Sequence, residues 1–476
     1  MTGALKQGLW FAAAFAMTGC AAGPNYEQPE YAPDAEWVGS ESKDQAGEVP
    51  LQWWAMLNDE GLNEYLALAA AGNLDIKAAT ARVDEARALR GISRSVFWPQ
   101  VGLNASYTSV EQSIESPGPV GSLIEAGLVD RELDFYNASL DASWEIDIFG
   151  GNRRLAEAAD ASLEASLAAR EATILQALAE TASAYFELRG AQQRLTIARS
   201  NIDSQQRTLE VTRRKVQAGL ARRIDQLRAE AQLDAFRALL PALEASVKAS
   251  SYRLAVLTGR APSDATASAE AGSAAVLPEA PAAVPVGMPA DVLRRRPDVR
   301  IAERELAAAT AQIGVAKADF FPRLVLGASY GFETDDFSSI GSSRARTTAL
   351  VPFVSWPVFQ GGRLRANLEG ADARAIGAVA LYEKSVLSAL ADAESAIAAY
   401  VQEARTLEHL AAAADASREA AQLAQKLYEK GLADFLTVLD AQRRLDETDD
   451  ARAQSHTRLL LNLVRVYKAL GGGWQV

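Results

Sequence analysis

The sequence predicts a mixed fold, in which strands of a membrane β-barrel alternate along the chain with very long α-helices that pack as coiled coils. Three observations predict it: the chain is internally duplicated, each half contains helical stretches far longer than a compact domain needs, and each half contains short segments of strictly alternating polarity. A duplication on this scale constrains the whole fold, because both halves must follow one plan.

The N-terminus has the parts of a secretory signal peptide, which we place at residues 1–19. Lys6 precedes the apolar residues 9–17, and small residues then lead to the only cysteine of the sequence, Cys20. The apolar stretch is shorter than the roughly 20 residues that span a bilayer, so cleavage is favoured over anchoring. Residues 17–20 resemble the bacterial lipobox, which implies a covalent lipid on Cys20. The alternative is a chance cysteine in an ordinary export signal.

Composition excludes several classes of function. The formal net charge of −13, from 48 basic and 61 acidic residues, argues against a nucleic-acid-binding protein, which needs a basic face. His409 and His456 are the only histidines, and Cys20 is the only cysteine. The sequence therefore has few residues from which to build a metal site or a Cys/His or Ser/His catalytic site. The sequence also lacks the phosphate-binding motif Gly-x-x-x-x-Gly-Lys-Ser/Thr. We therefore expect no enzyme, no metal and no cofactor, apart from the lipid on Cys20.

Paired motifs define the two repeats. FWPQVGLNASY at 97–107 matches FFPRLVLGASY at 320–330, and the Gly-Leu-Ala turn at 219–221 matches the one at 431–433. Each repeat is predicted to run helix, two strands and long helical hairpin. The resulting boundaries are an N-terminal extended segment at 20–57, a first repeat at 58–259, a Pro/Ala-rich linker at 260–291 and a second repeat at 292–476.

Each repeat contains a helical stretch of unusual length. The stretches from about Asn152 to Ala218 and from about Leu364 to Lys430 are rich in Ala, Leu, Glu and Arg and contain no proline. At ~1.5 Å per residue each could extend on the order of 100 Å. Apolar residues recur at threes, fours and sevens, which predicts one buried seam on each helix. Shorter partner helices are predicted at 222–257 and 434–470, the first bent near Leu240 because Pro241 lies inside it.

Four segments are predicted to form strands, because their side chains alternate between apolar and polar. They lie at 100–109, 138–148 and 324–332, with a fourth around 351–358 that Pro352 and Pro357 interrupt. Runs of about ten such residues are typical of transmembrane β-strands, although a half-buried soluble sheet would give the same alternation. Four strands cannot close a barrel, and lipid does not tolerate open edges, so we expect a barrel shared by a dimer, trimer or tetramer.

Seven motifs along the chain resemble the TolC/OprM outer membrane factors of tripartite efflux systems, in their NodT-type lipoprotein branch. They are GPNY at 23–26, WEIDIFG at 144–150, LRRRPDV at 293–299, FP at 321–322, FQGGR at 359–363, LTVLDAQR at 436–443 and ALGGGW at 469–474. The resemblance implies a TolC-like homotrimer in the outer membrane, with a twelve-stranded β-barrel continued into the periplasm by an α-helical coiled-coil barrel. It also implies two partners: a periplasmic membrane-fusion adaptor and an inner-membrane pump of the resistance-nodulation-division (RND) type.

The resemblance assigns roles to both helical turns. Asp440 matches a ring of carboxylates at the periplasmic gate, Leu436 an apolar ring, and Asp225 the acidic position of the first turn. For both aspartates the alternative is an ordinary first-turn carboxylate favoured by the helix dipole. The adaptor-binding tips would be Gly219, Leu220, Ala221, Gly431, Leu432 and Ala433.

One position departs from the family pattern. Glu429 stands where a latching arginine is common, which puts the usual latch of the mouth in doubt. Arg222, Arg223 or Lys430 could substitute for that arginine.

The function that the resemblance implies is a passive exit duct, which conducts small toxic compounds from the periplasm to the exterior while the pump supplies the energy. Two alternatives stay open: a duct for type I protein secretion or another ABC-type exporter, and a periplasmic coiled-coil scaffold. The exported compounds also stay open, because a wide tunnel selects by size and charge. Drugs, dyes, metals and plant-derived compounds all fit.

Overall fold

The computed structural model describes residues 21–29, 37, 50, 52–115, 119–263, 276–281 and 284–473. The signal peptide expected at 1–19 and the expected lipid site Cys20 lie outside these residues. Among the helices that are described, none is both long and apolar enough to cross a membrane.

The order of elements repeats in the two halves, as the paired motifs predict. The first half contains α1 Glu60–Gly72, α2 Leu74–Ser95, β1 Gln100–Glu111, α3 Pro119–Glu125, β2 Glu132–Ile146, α4 Gly151–Gln217, α5 Arg223–Arg237 and α6 Leu240–Leu257. The second half contains α7 Pro289–Arg295, α8 Pro297–Ala318, β3 Arg323–Thr334, β4 Arg346–Ser355, α9 Arg363–Glu429 and α10 Phe435–Ala469.

The two longest helices, α4 and α9, each contain 67 residues and end in the same way. Gly219 and Gly431 follow them with φ angles of 74° and 75°, in the left-handed region that glycine enters without strain. The amides of Leu220 and Leu432 then turn back, and each donates at 2.8 Å to a carbonyl in the last turn of the long helix. These bonds satisfy carbonyls that a helix C-terminus leaves free.

A break interrupts the shorter partner helix of the first half. α5 ends at Arg237 and α6 begins at Leu240, with Pro241 in the first turn of α6. Proline is accepted there because an amide in the first turn of a helix has no helical acceptor to lose. The bend predicted near Leu240 is confirmed, whereas α10 runs unbroken for 35 residues.

The described residues divide into two compact units. The first takes in residues up to Gln28 together with Asp84–Glu164 and Glu303–Leu381. The second consists of Pro29–Val83, Ala165–Ala302 and Tyr382–Val476. The first unit contains the sheet, and the second contains the main hydrophobic core and both helical turns.

The first unit contains one antiparallel sheet in the order β1-β2-β3-β4. Its register places Leu103 opposite Leu140, and Leu140 opposite Tyr330. These and other large apolar side chains of the sheet are exposed, among them Val101, Leu350 and Val354. Within the described part of the chain, β1 and β4 each have one edge without a partner strand. Exposed apolar rows and open edges are typical of a sheet that another surface completes.

β4 differs from its sequence prediction in position and continuity. It spans Arg346–Ser355 rather than 351–358, and Pro352 lies inside it, opposite Leu326. A proline removes a single backbone donor from the ladder, and the pairing of β3 with β4 continues on both sides of it. Pro357 lies beyond the end of the strand. The prediction that Pro352 interrupts the fourth strand was therefore wrong.

Arg154 in α4 holds the start of the described chain within the first unit. Its guanidinium donates to the carbonyl oxygens of Ala22 at 3.1 Å and Gly23 at 3.4 Å, and to Asn25 Oδ1 at 2.7 Å. Gly23 has a φ of 89° and lies against Gly314 so closely that a Cβ would stand 2.5 Å from the Gly314 Cα. The GPNY motif is thus packed against α4 and α8.

An aromatic and aliphatic core holds the second unit together. Trp53 stacks on Tyr467 in α10 with ring centroids 5.0 Å apart, and Tyr185 in α4 donates to Asp59 Oδ1 at 2.7 Å. Burial raises the pKa of Tyr185 to about 12, which keeps its hydroxyl protonated as a donor. The buried aliphatic side chains around them include Leu62, Leu460, Leu463 and Leu470. Residues from both halves therefore share one core.

Arg296, the third arginine of the LRRRPDV motif, connects three elements of the second unit. Its buried guanidinium donates to Asp298 Oδ2 at 2.6 Å, to Asp392 Oδ2 at 3.1 Å and to the carbonyl of Ala469, the last residue of α10, at 3.0 Å. Burial opposes its charge, but the bonds and charges of Asp298 and Asp392 hold the pKa of Arg296 above its ordinary value.

Arg296→Met is expected to lower the free energy of unfolding by about 3 kcal/mol, because it leaves two carboxylates without their cation and a helix-terminal carbonyl without its donor. Thermal unfolding of the purified protein measures this. The matched control is Arg294→Met, whose parent side chain is 81% exposed and which is expected to change stability by less than about 0.5 kcal/mol. Equal losses in the two variants would contradict the role given to Arg296.

Candidate functional site

The two helical turns expose matching apolar residues. We call residues 218–222 the first tip and residues 430–434 the second tip. Leu220 is 78% exposed in the first and Leu432 is 72% exposed in the second. The tip residues expected from the sequence thus lie in two equivalent turns. An exposed large apolar side chain at the end of each is suited to contact with another protein.

Asp225 lies in the first turn of α5 and is only 6% exposed. Its Oδ2 accepts a hydrogen bond from the backbone amide of Arg222 at 3.2 Å and lies 3.6 Å from the Arg222 Nε. Its Oδ1 is buried and has no hydrogen-bond partner among the described residues. Asp225 therefore caps its own helix and does not face an open space in this conformation.

Asp440 and Leu436 lie one turn apart on α10 and are both exposed, Leu436 by 44%. Residues four apart share one face of a helix, so the carboxylate and the leucine present a single surface. α10 begins just before them at Phe435, where Asp434 caps the helix by accepting from the Thr437 amide at 2.8 Å. The structure therefore brings two of the three predicted gate residues together and buries the third.

Lys215 and Tyr428 join the two hairpins, and reasoning from the sequence missed both. The Lys215 Nζ donates to the Tyr428 carbonyl oxygen and lies 4.0 Å from the centre of the Tyr428 ring. The Tyr428 hydroxyl is 3.2 Å from Thr212 Oγ1. Lys215 in α4 and Leu427 in α9 are equivalent positions, because the Lys215 carbonyl accepts from the Leu220 amide and the Leu427 carbonyl accepts from the Leu432 amide. The sequence did contain one signal for this contact: when the two repeats are aligned, a lysine in the first stands where the second has a leucine.

A buried polar layer and an apolar cluster lie alongside this contact. Gln442 in α10 donates to Thr208 Oγ1 in α4 at 2.9 Å, and Thr208 donates to Gln425 Oε1 at 3.4 Å. The apolar cluster consists of Ile202, Leu209, Ala229, Leu233, Phe236, Ala424, Tyr428, Phe435 and Val438. Hydrogen bonds between buried side chains require one geometry, so this layer sets how the hairpins align.

Among the described residues, the basic side chains proposed as substitutes for a latching arginine make no direct contact that bridges the hairpins. Arg222 pairs with Asp225 inside its own hairpin. Arg223 and Lys430 are exposed. Glu429, the residue that departs from the family pattern, accepts a hydrogen bond from Gln425 on its own helix at 2.9 Å.

A groove of about 490 Å³ lies between α4, the α5–α6 break and α10. Asp446 lines it, and burial, with smaller contributions from Asp449 and Glu447, raises the pKa of Asp446 to about 7. The neighbouring Asp450 has a partner, because it accepts from Arg194 at 2.6 and 3.2 Å. In the described part of the chain, no group of three His, Cys, Asp or Glu residues is placed to hold a metal ion.

Comparison with known proteins gives one consistent family. The family model described as outer membrane efflux protein matches residues 65–260 and 288–472. Nodulation protein T of Rhizobium leguminosarum bv. trifolii is 31% identical over 464 residues, which cover 96% of this chain and 95% of that protein. The toluene efflux pump outer membrane protein TtgF of Pseudomonas putida is 30% identical over 477 residues, covering 98% and 96%.

A solved structure agrees with these relatives. The outer-membrane channel OprN has a TM-score of 0.86 and 38% identity, covering 96% of this chain and 100% of that chain. The likeness in sequence and the likeness in fold therefore extend through both repeats.

Asp446→Asn is expected to raise the melting temperature at pH 8 and to leave it unchanged at pH 4. Folding raises the pKa of this carboxyl from 3.8 to about 7, so the folded state keeps a proton that the unfolded state releases, and stability falls as pH rises through that window. Asparagine removes the loss, which is about 1–2 kcal/mol at pH 8 after allowance for solvent screening. Thermal unfolding at both pH values measures it.

The control for this prediction is Glu419→Gln, which replaces an exposed carboxylate on α9 that does not contribute to the raised pKa of Asp446. It is expected to show no pH-dependent gain. A stabilisation by Asp446→Asn of the same size at pH 4 and pH 8 would contradict the assignment.

Proposed function

The chain belongs to the outer membrane efflux protein family, and we propose that it is the exit duct of a tripartite RND-type pump that expels small toxic compounds. It is a protein of the outer membrane, and it serves as the outer membrane duct through which an efflux pump discharges. Because its family is one of channels, we propose a passive role in which the energy comes from the inner-membrane pump.

The observation that carries the proposal in detail is the sheet with two open edges and exposed apolar side chains. Each unpaired backbone group in lipid costs several kcal/mol, so another copy of the chain must pair with β1 and β4. Three copies of a four-stranded sheet would supply twelve strands, which is enough to close a membrane barrel. We propose a homotrimer in which β4 of each copy pairs with β1 of the next.

The two tips are proposed as the binding surface for the periplasmic adaptor. Leu220 and Leu432 project from equivalent turns and are more than two-thirds exposed, so each has apolar surface to bury against a partner. The flanking residues Gly219, Ala221, Gly431 and Ala433 keep both turns narrow. A trimer would therefore present six such leucines to the adaptor that connects duct and pump.

Asp440 and Leu436 are proposed to line the closed periplasmic gate. Three Asp440 carboxylates around one axis would repel one another and attract cations, and three Leu436 side chains would narrow the same opening. Asp225 is proposed to support this gate by capping α5 and shaping the first tip, since its side chain is buried. The exposure of Asp440 and Leu436 on one helical face supports the assignment.

Cys20 is proposed to carry a covalent lipid that anchors the chain start at the outer membrane. Ala22 and Gly23, which follow it closely, are bound by Arg154 in the unit that contains the sheet. Such binding would keep the lipid close to that unit. Mass spectrometry of the mature N-terminal peptide tests this. A lipid-modified Cys20 is expected, and an unmodified Cys20 would contradict the proposed anchor.

Deletion of the gene followed by growth on a panel of dyes, detergents and antibiotics tests the duct function. We expect hypersensitivity that the wild-type gene reverses, trimers in the outer-membrane fraction, and co-purification of a periplasmic adaptor. A deletion that changes no susceptibility, in a protein that captures no adaptor, would overturn the proposal. Sensitivity that depends on an ABC-type exporter rather than on an RND pump would change the assigned pump.

Asp440→Ala is expected to raise the closed-state conductance of trimers in planar bilayers severalfold, because it removes the ring of charges and the bulk of three carboxylates from the opening. Single-channel recording measures this. Glu447→Ala, at an exposed acidic position further along α10, is the control and should conduct like the wild type. An unchanged closed state in Asp440→Ala would remove Asp440 from the gate.

A further inference from the structure

A lysine from the first hairpin holds the end of the second hairpin's long helix. Lys215 lies in the last turn of α4 and Tyr428 in the last turn of α9. The ammonium group donates to the Tyr428 main-chain carbonyl and also lies 4.0 Å from the centre of its ring. One cation therefore contacts both the backbone and the side chain of the other hairpin.

The environment of this contact favours a cation on electrostatic grounds. The Tyr428 carbonyl belongs to the last turn of α9, where the helix dipole carries partial negative charge. The face of the phenol ring is also negative and attracts the same ammonium group. Tyr428 is 4% exposed, so water competes weakly for the contact.

The same carbonyl connects Lys215 to the turn of the second tip. It accepts a hydrogen bond from the Gly431 amide at 3.0 Å, and Gly431 has the positive φ that starts the turn. On the other side, Lys215 offers its own carbonyl to Leu220 of the first tip at 2.8 Å. The two turns are thus joined through one ammonium group.

We propose that Lys215 is the residue that holds the mouth of the duct closed, by tying the two hairpins of each chain together at their tips. The proposal rests on the duct function proposed above. Movement of the second tip away from the first breaks the bond to the carbonyl and the contact with the ring together. Lys215 is thus a positioning residue that acts on the opening through Tyr428.

This latch differs in its chemistry from a carboxylate ring. Its acceptor is a main-chain carbonyl, which has no proton to gain at ordinary pH and which no side-chain substitution removes. The basic residues of the tips themselves, Arg222, Arg223 and Lys430, do not make the equivalent contact. Lys215 and Asp440 therefore act on closure by separable routes, one through contact between hairpins and one through charge at the opening.

The experiment compares full-length trimers in planar bilayers. Lys215→Met keeps an apolar side chain of similar length and removes the cation. We expect its closed-state conductance to rise about tenfold, as the loss of a half-buried cation–π contact implies. Lys215→Arg keeps the charge and should stay near the wild type. Tyr428→Leu removes the ring but keeps the carbonyl, so an intermediate rise is expected.

The matched control is Lys430→Met, which removes an exposed positive charge from the second tip. The trimer's melting temperature is measured for each variant, so that a leak from general unfolding is recognised. Wild-type conductance in both Lys215→Met and Tyr428→Leu would overturn the proposal, as would an equal rise in Lys430→Met. Failure of the proposed function gives a different result, since wild-type trimers would then not conduct and Asp440→Ala would have no effect.

Discussion

A backbone amide or carbonyl without a partner cannot remain in lipid, and the architecture of the chain follows from that constraint. Four antiparallel strands leave two edges, one on β1 and one on β4, and the described chain covers neither. Because a closed barrel is the arrangement of strands without edges, the sheet is a fraction of a larger assembly. The exposed apolar side chains along it follow from the same requirement, since their environment is lipid rather than a protein core.

The C-terminal ends of the long helices also have backbone carbonyls that lack a hydrogen-bond donor, here in surroundings that water can reach. α4 and α9 each end with carbonyls that no helical amide can reach. Glycine turns satisfy part of this need at both ends, through the amides of Leu220 and Leu432. At α9 the Tyr428 carbonyl also accepts from Lys215. The Tyr428 carbonyl, which lies in the last turn of α9, therefore forms a contact between the two hairpins.

The sequence was sufficient for the features that local signals control. Both long helices begin and end within one residue of their expected limits, because uninterrupted helix formers end in glycine at each tip. Pro352 misled the prediction, because a proline removes one backbone donor but does not by itself end the strand. The Lys215–Tyr428 contact and the burial of Asp225 were beyond reach because they depend on how two hairpins align, and the apolar period of a helix leaves that alignment undetermined.

Lys215 and Leu427 occupy equivalent positions in the two repeats but differ in chemistry, and this difference has a consequence for symmetry. The two hairpins share a backbone plan, so the proposed trimer would repeat nearly the same structural unit six times around its axis. A hexamer of half-length chains would carry identical residues in every unit. Each hairpin would then have to contain both the lysine and its aromatic partner. Fusion of the halves allows one hairpin to supply the donor and the other the acceptor. Duplication thereby lets neighbouring units become unequal, and directional contacts between them become possible.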